Sequence, residues 1–223
     1  MNAQQILRAI GNGELDQTLI RLYGADGPGY AAKRCQAAVE GFVERFGDNE
    51  QLHLFSSPGR VELIGNHTDH NHGRVLAASV NLDVIAVACR RPGTRIRIQS
   101  QGYPLITVDL RDLTPKSEEA NTSAALIRGV AARMAELGCP LQGAGLDACI
   151  TSTVPGGSGL SSSAAFEVLI GTMLNELFFG GRCTPVELAQ IGQYAENVFF
   201  GKPCGLMDQT ASSVGGVVAI DFA

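Results

Sequence analysis

The most constraining feature of this sequence is a run of glycine and serine between two apolar segments. The run, Pro155 to Ala165, reads PGGSGLSSSAA. The preceding segment, Gly145 to Thr153, has the composition of a buried strand, and Ala164 to Phe179 has the length and apolar content of a helix. A small-residue loop between strand and helix leaves backbone N–H groups unhindered at the positive end of the helix dipole. The sequence therefore predicts an anion site suited to nucleotide phosphates.

This loop differs from a Walker loop, because no Gly-Lys-Ser/Thr follows its glycines. A flexible glycine and serine linker is the alternative interpretation, and the flanking strand and amphipathic helix argue against it. The residues expected to contact ATP are consecutive: Pro155, Gly156, Gly157, Ser158, Gly159, Leu160, Ser161, Ser162, Ser163 and Ala164.

The remaining pattern predicts helices before residue 50 and a sheet after it. Residues 1–50 form a predicted N-terminal helical extension. Residues 51–223 form a predicted domain that contains the candidate nucleotide site. Strands are predicted at His53 to Ser56, Val75 to Val80, Asp83 to Cys89, Thr94 to Ser100 and Pro104 to Leu110, and a helix at Thr122 to Leu137. The fold class that follows is α+β, with a mixed, mostly antiparallel sheet.

The C-terminal part of the chain is predicted to contain two more helices and a strand. Thr184 and Glu187, with Pro185 between them, have the spacing of a capping box that starts a helix reaching about Phe200. A short helix from about Leu206 and a strand from Gly215 to Phe222 follow.

Composition and charge exclude several classes of partner. A formal net charge of −5 leaves no general basic face, so we expect no nucleic acid partner. No window approaches eighteen consecutive apolar residues and the N-terminus lacks a signal-peptide layout, so we expect no membrane partner and a cytoplasmic location. The cysteines are scattered without a C-x-x-C pair, which predicts free thiols: Cys35, Cys89, Cys139, Cys149, Cys183 and Cys204. The sequence does not predict the oligomeric state.

A second polar segment, Ser57 to Gly73, contains three of the four histidines. Its candidate binding side chains are Arg60, His67, Asp69, His70 and His72. Carboxylates and imidazoles form hydrogen bonds with sugar hydroxyls, and they are also ordinary zinc ligands. A sugar site, a divalent metal site and a ligand-free polar loop are therefore all open, and the phosphate loop favours the sugar site.

A third segment, Glu196 to Asp208, combines glycines with carboxylates. Gly201 and Gly205 permit close backbone approach, and Asp208 is predicted in the first turn of a short helix. A carboxylate is favoured there by the helix dipole, so a purely capping role for Asp208 is the alternative to a catalytic one.

These three segments, in this order, resemble the GHMP kinase superfamily and specifically the galactokinases. Gly59 to Asp69 is similar to the galactokinase signature, Pro155 to Ala165 to the ATP loop, and Pro203 to Gln209 to the segment with the catalytic aspartate. The resemblance spans Leu52 to Phe222 and implies the GHMP-kinase N-terminal domain, a ribosomal-protein-like arrangement of a sheet layer and a helix layer. Family members continue into a second half, so we expect this chain to be an N-terminal portion.

The resemblance implies transfer of the γ-phosphoryl group of ATP to the anomeric hydroxyl of galactose or a related sugar. Asp208 matches the position of the catalytic base, and Arg60 matches a neighbouring position that stabilises developing charge. Ser163 and Glu196 match the Mg²⁺ ligands. The residues that match sugar-binding positions are Asn66, His67, Asp69 and Gly205.

The chain departs from the galactokinase signature at three positions. Glu62 replaces an Asn, Asn66 replaces a Glu and His70 replaces a Tyr. These changes leave the identity of the sugar open. They also leave open a non-catalytic sensor that binds sugar and ATP, a kinase for another small acceptor, and a metal-dependent hydrolase that uses the histidines.

Overall fold

The computed structural model describes residues 1–25, 27–49, 51–66 and 68–223, except for the side chains of Asp69 and His70. Seven α-helices lie in this part of the chain: α1 (Ala3–Gly11), α2 (Asp16–Tyr23), α3 (Pro28–Phe46), α4 (Ser123–Glu136), α5 (Ser162–Leu174), α6 (Pro185–Tyr194) and α7 (Met207–Val214). It also contains six strands: β1 (His53–Ile64), β2 (Arg74–Pro92), β3 (Arg95–Ser100), β4 (Ile106–Asp109), β5 (Ala144–Ser152) and β6 (Val217–Asp221). The predicted α+β class is confirmed.

The six strands form one mixed sheet in the order β1-β2-β5-β3-β4, with β6 beside the first half of β2. Every pairing is antiparallel except that of β3 with β5. The separate strands predicted at Val75 to Val80 and Asp83 to Cys89 are wrong, because β2 runs through both. Its pairing with β1 continues across this region through a register shift instead of being broken by a turn.

Strand β1 also extends further than predicted, from Ser56 to Ile64. The extension includes Pro58 and Gly59, which are unusual within a strand. A register shift lies between Pro58 and Arg60, and such a bulge tolerates a proline that lacks the N–H for a regular ladder. The first half of the second polar segment is therefore strand and not loop.

The second half of β2 is apolar on both faces because helices cover both sides of the sheet. Val84, Ala86 and Ala88 pack on α4 and α5. They belong to the core that contains Ile127 and Leu169. The residues between them, such as Val87, pack against Phe42 of α3. Successive side chains of a strand point to opposite faces, so one continuous apolar run supplies both cores.

A buried polar cluster around Asp83 of β2 attaches the N-terminal helices to the sheet. Arg34 of α3 forms an ion pair with Asp83, and both residues are buried. The Tyr23 hydroxyl of α2 donates to the same carboxylate, as does the Ser56 hydroxyl of β1 at 2.6 Å. Burial, with the adjacent Asp83 charge, raises the pKa of Tyr23 well above its ordinary range, so this hydroxyl remains a donor.

The proposed division of the chain at residue 50 stays a prediction.

The two predicted helices that end at Phe179 and Phe200 each finish in a wider turn. The segments Asn175–Phe179 and Ala195–Phe200 are π-helical and continue α5 and α6 directly. The capping box at the start of α6 is confirmed, with Thr184 and Glu187 exchanging both hydrogen bonds. The second π segment places Glu196 in a buried position facing α5. Such π turns are frequent at functional sites.

Among the helices of the described residues, none is both long enough and apolar enough to cross a bilayer.

Candidate functional site

A cavity of about 720 Å³ lies where the glycine and serine loop meets Arg60 of β1 and the start of α7. Its size is typical of small-molecule sites, which range over about 300 to 1,000 Å³. Its lining comes from three separate parts of the chain: Arg60, Gly157, Gly159, Ser161, Ser162, Ser163, Lys202, Pro203, Cys204, Gly205 and Asp208. The three polar segments identified in the sequence therefore meet at this one site.

The glycine and serine loop is seated directly on the backbone of β1. The Arg60 amide donates to the Leu160 carbonyl at 3.1 Å. A Cβ atom at Gly59 would lie 2.9 Å from the same carbonyl oxygen, which is closer than real Cβ contacts allow. Glycine at this position therefore permits the close approach of strand and loop.

The loop presents the N-terminus of α5 to the cavity. Gly157 and Gly159 have φ angles of 71° and 79°, a region that favours glycine. Ser161 has φ 55° and ψ 60° at the N-cap of α5, which is a strained conformation for a residue with a side chain. Since Ser161, Ser162 and Ser163 line the cavity, the positive end of the α5 dipole faces it.

An ion pair between Arg60 and Asp208 forms the polar centre of the site. Arg60 Nε lies 2.6 Å from Asp208 Oδ1, and the guanidinium also donates to the Gly159 carbonyl. Ser161 donates its hydroxyl to Asp208 Oδ2. The Arg60 side chain is 6% exposed, whereas that of Asp208 is 30% exposed. The carboxylate is thus held on both oxygens and still reaches the cavity.

A second carboxylate, Glu196, is buried and contacts two residues that line the cavity, Ser163 and Lys202. Ser163 donates its hydroxyl to Glu196 Oε1 at 3.2 Å, and Lys202 Nζ lies 3.1 Å from the same oxygen. The two residues that match metal ligands in the resemblance are therefore in contact. They are a hydroxyl and a carboxylate, which are oxygen donors of the type that Mg²⁺ prefers.

Two family profiles match this chain and together cover the site. The galactokinase galactose-binding signature matches residues 40–90, and the GHMP kinases N-terminal domain matches residues 125–216. The chain is 42% identical to the Streptomyces coelicolor galactokinase over 176 residues, and 36% identical to the Clostridium tetani galactokinase over 175 residues. This chain belongs to the galactokinase family. Each alignment covers 78% of this chain but only 44% and 43% of the relatives, so the chain spans less than half of their length.

This galactokinase-family chain has the same fold as parts of solved kinase structures. The crystal structure of Lactococcus lactis galactokinase complexed with galactose superposes with a TM-score of 0.76 at 33% identity, covering 82% of this chain and 48% of that one. The Methanococcus jannaschii mevalonate kinase superposes with a TM-score of 0.64 at 16% identity, covering 78% of this chain and 55% of that one. The second likeness shows the fold alone. Both agree with the predicted GHMP-kinase N-terminal architecture.

Sequence reasoning missed a buried polar layer behind Glu196. Gln209 is fully buried and donates its side-chain amide to Glu196 Oε2 at 2.9 Å and to Glu167 Oε2 at 3.0 Å. Glu167 is 1% exposed, and its other oxygen has no hydrogen-bond partner. The available signal was a lone charged residue in the apolar helix after the loop, four positions beyond Ser163 and therefore on the same helix face.

Burial, and to a lesser extent the charge of Glu196, raises the pKa of Glu167 to about 8. The charge of Lys202, in the segment before α7, lowers this pKa, and the charge of Asp208, in α7, raises it. An unfolded Glu titrates near 4.5, so the folded chain holds one additional proton between these two values. The stability contributed by this group is complete below about pH 4.5 and is lost as the pH rises towards 8.

We therefore expect the Glu167→Gln variant to lose less stability than the unmodified chain between pH 5 and pH 8.5. The difference should be on the order of a few kcal/mol, because one pKa unit corresponds to about 1.4 kcal/mol. Urea unfolding at pH 5, 6.5 and 8.5 measures it, with Glu118→Gln at an exposed position as the control. Parallel stability curves for Glu167→Gln and the unmodified chain would contradict the prediction.

Not every predicted site residue lies at the cavity. Within the loop, Pro155, Gly156, Ser158, Leu160 and Ala164 do not contribute to its lining, and Ala164 is buried in the core. Asn66 follows β1 with φ 58° and does not contribute to the lining. His67 lies outside the described residues, as do the side chains of Asp69 and His70. The proposed histidine metal site therefore falls mostly outside the described part and stays untested.

Proposed function

We propose that this chain binds ATP and galactose at the cavity, and that the protein transfers the γ-phosphoryl group of ATP to the anomeric hydroxyl of the sugar. The observation that carries the proposal is the Asp208 carboxylate held by Arg60 and Ser161 beside the phosphate-type loop. Relatives named galactokinases and a family member solved with galactose support the choice of sugar. A cytoplasmic location fits this proposal. The six cysteines of the chain are free thiols, and thiols stay reduced in the cytoplasm.

Asp208 is proposed to accept the proton of the sugar hydroxyl during transfer. A carboxylate has about four lone-pair sites, so Arg60 and Ser161 leave capacity for a further donor. Arg60 holds the carboxylate in place and adds positive charge where the transferred phosphate gathers negative charge. Phosphoryl transfer depends mainly on such positioning and electrostatic stabilisation.

The phosphates of ATP are proposed to lie along the loop from Gly157 to Ser163. The N-terminus of α5 and the exposed backbone of the loop provide an anion site without a Walker lysine. A γ-phosphate bound there would lie near Asp208, because Ser161 lines the cavity and also contacts that carboxylate.

Ser163 and Glu196 are proposed to hold Mg²⁺. The fit is supported by their contact at 3.2 Å beside the loop and by the oxygen chemistry of both groups. Bound Mg²⁺ would neutralise charge on the phosphates during transfer. Gln209 fixes the opposite oxygen of Glu196 and so leaves Oε1 directed towards Ser163.

The sugar is proposed to lie between Asp208, Gly205 and the loop that follows β1. Gly205 lines the cavity, and the residues that match sugar contacts in this loop are Asn66, His67 and Asp69. Retention of the Arg60 and Asp208 pair favours catalysis over a sensor without turnover. Asn66 and His70 differ from the signature, so the range of accepted sugars is best measured on related compounds.

The proposal is tested by a coupled ADP-release assay on the longest natural polypeptide that contains these residues. The assay supplies Mg²⁺ and ATP with galactose, its epimers, its amino derivatives or mevalonate. Galactose-dependent ADP release is the expected result. ADP release with mevalonate alone would assign another acceptor, and ATP binding without release for any acceptor would support a sensor.

A further inference from the structure

Lys202 is a cation at the proposed nucleotide site that the assigned roles do not use. It lies between the last π turn and α7, lines the cavity, and its side chain is 60% exposed. Its ammonium lies 3.1 Å from Glu196 Oε1, the same oxygen that accepts the Ser163 hydroxyl. Lys202 therefore contacts the oxygen that a metal ion held by Ser163 and Glu196 would need.

The other charges at the cavity show why this contact matters. Among the described lining residues the cations are Arg60 and Lys202, and the Arg60 guanidinium is already engaged with Asp208 and the Gly159 carbonyl. The loop itself has no lysine or arginine. Lys202 is thus the lining cation with an exposed, flexible side chain free to change its partner.

We propose that Lys202 is a displaceable counter-cation, which pairs with Glu196 before ligands bind and contacts a phosphate oxygen of ATP once a divalent cation occupies Glu196. The inference rests on the proposed nucleotide and metal site. Two cations cannot both approach Glu196 Oε1 closely without repelling each other, so binding of a metal favours release of the lysine. The released ammonium lies at the rim of a cavity that would then contain a polyphosphate, and such charge-assisted contacts are strong.

The proposal predicts opposite effects of one substitution on two ligands. In the Lys202→Met variant the competitor at Glu196 is absent, so Mn²⁺ should bind about two- to fivefold more tightly without nucleotide, as the loss of an exposed ion pair implies. The same variant should bind ATP at saturating Mg²⁺ about tenfold more weakly, because a charged contact to phosphate is lost. Electron paramagnetic resonance measures free Mn²⁺, and calorimetry measures ATP binding. Both measurements use the polypeptide of residues 1–223.

Two further variants make the test specific. Lys33→Met makes the same chemical change at an exposed position on α3, away from the cavity, and should change neither affinity. Lys202→Arg keeps the charge and should retain most of the ATP affinity. The inference would be overturned if Lys202→Met bound both ligands more weakly. It would also be overturned if the affinity for Mn²⁺ or the affinity for ATP did not change. If the unmodified chain binds neither Mn²⁺ nor ATP, the proposed function itself fails.

Discussion

Turnover with galactose should fall about 10²-fold or more in the Asp208→Asn variant, because a positioned general base contributes at least this much. Asparagine has nearly the same shape, and its side-chain oxygen can still accept a hydrogen bond from Arg60 or Ser161. It carries no negative charge and does not take up the proton of the sugar hydroxyl. The loss should therefore appear in kcat, with a much smaller change in the KM for ATP.

The matched control for this experiment is Asp221→Asn in β6. Asp221 forms an exposed ion pair with Arg74, so the same loss of one charge there should leave turnover unchanged. Thermal unfolding of both variants shows whether the fold is intact. Turnover of Asp208→Asn equal to that of the unmodified protein, with ADP still formed in a galactose-dependent manner, would remove Asp208 from its proposed role.

The Asp83→Ala variant should lose about 3 to 5 kcal/mol in the free energy of unfolding. Removing one partner of a buried ion pair leaves the other charge uncompensated, and Arg34 is buried with a side-chain exposure of only 9%. The same substitution removes the acceptor used by Tyr23 and Ser56. Urea unfolding followed by circular dichroism measures the loss.

A second substitution separates the burial of charge from general damage at this position. The double variant Arg34→Met with Asp83→Ala removes both charges, so it should recover part of the stability lost by Asp83→Ala alone. Asp221→Ala provides the exposed control and should cost at most about 1 kcal/mol, since Arg74 is 81% exposed. A double variant no more stable than Asp83→Ala alone would contradict the argument.

The local pattern of the sequence determined most of the secondary structure. The capping box at Thr184, the helix from Thr122 and the strand, loop and helix around Pro155 depend on neighbouring residues, and all three are confirmed. Three ordered segments also showed the resemblance to the galactokinases: Gly59 to Asp69, Pro155 to Ala165 and Pro203 to Gln209. Local signals ended β1 too early, because Pro58 and Gly59 indicate a break that the bulged pairing of β1 with β2 overrides. They also divided β2 in two, whereas its pairing with β1 continues across the predicted gap.

The composition of the site was largely predictable, whereas its contacts were not. The sequence indicated Arg60, Ser163, Glu196 and Asp208 through motifs whose chemistry is readable in one dimension. It did not indicate that Ser161 donates to Asp208, because these residues are 47 positions apart and meet only when α5 packs against α7.

The tertiary structure alone decided which groups share a buried space. Gln209 and Lys202 look unremarkable in the sequence, and Glu167 is noticeable only as a lone charge in an apolar helix. Each acquires its role from contact with Glu196 or with the layer behind it. The Asp83 cluster likewise brings together residues from α2, α3, β1 and β2. Periodicity and caps depend on residues a few positions apart, whereas burial and charge depend on distances in space. The sequence therefore determined the elements and the family, and packing decided how the charges at the site are paired.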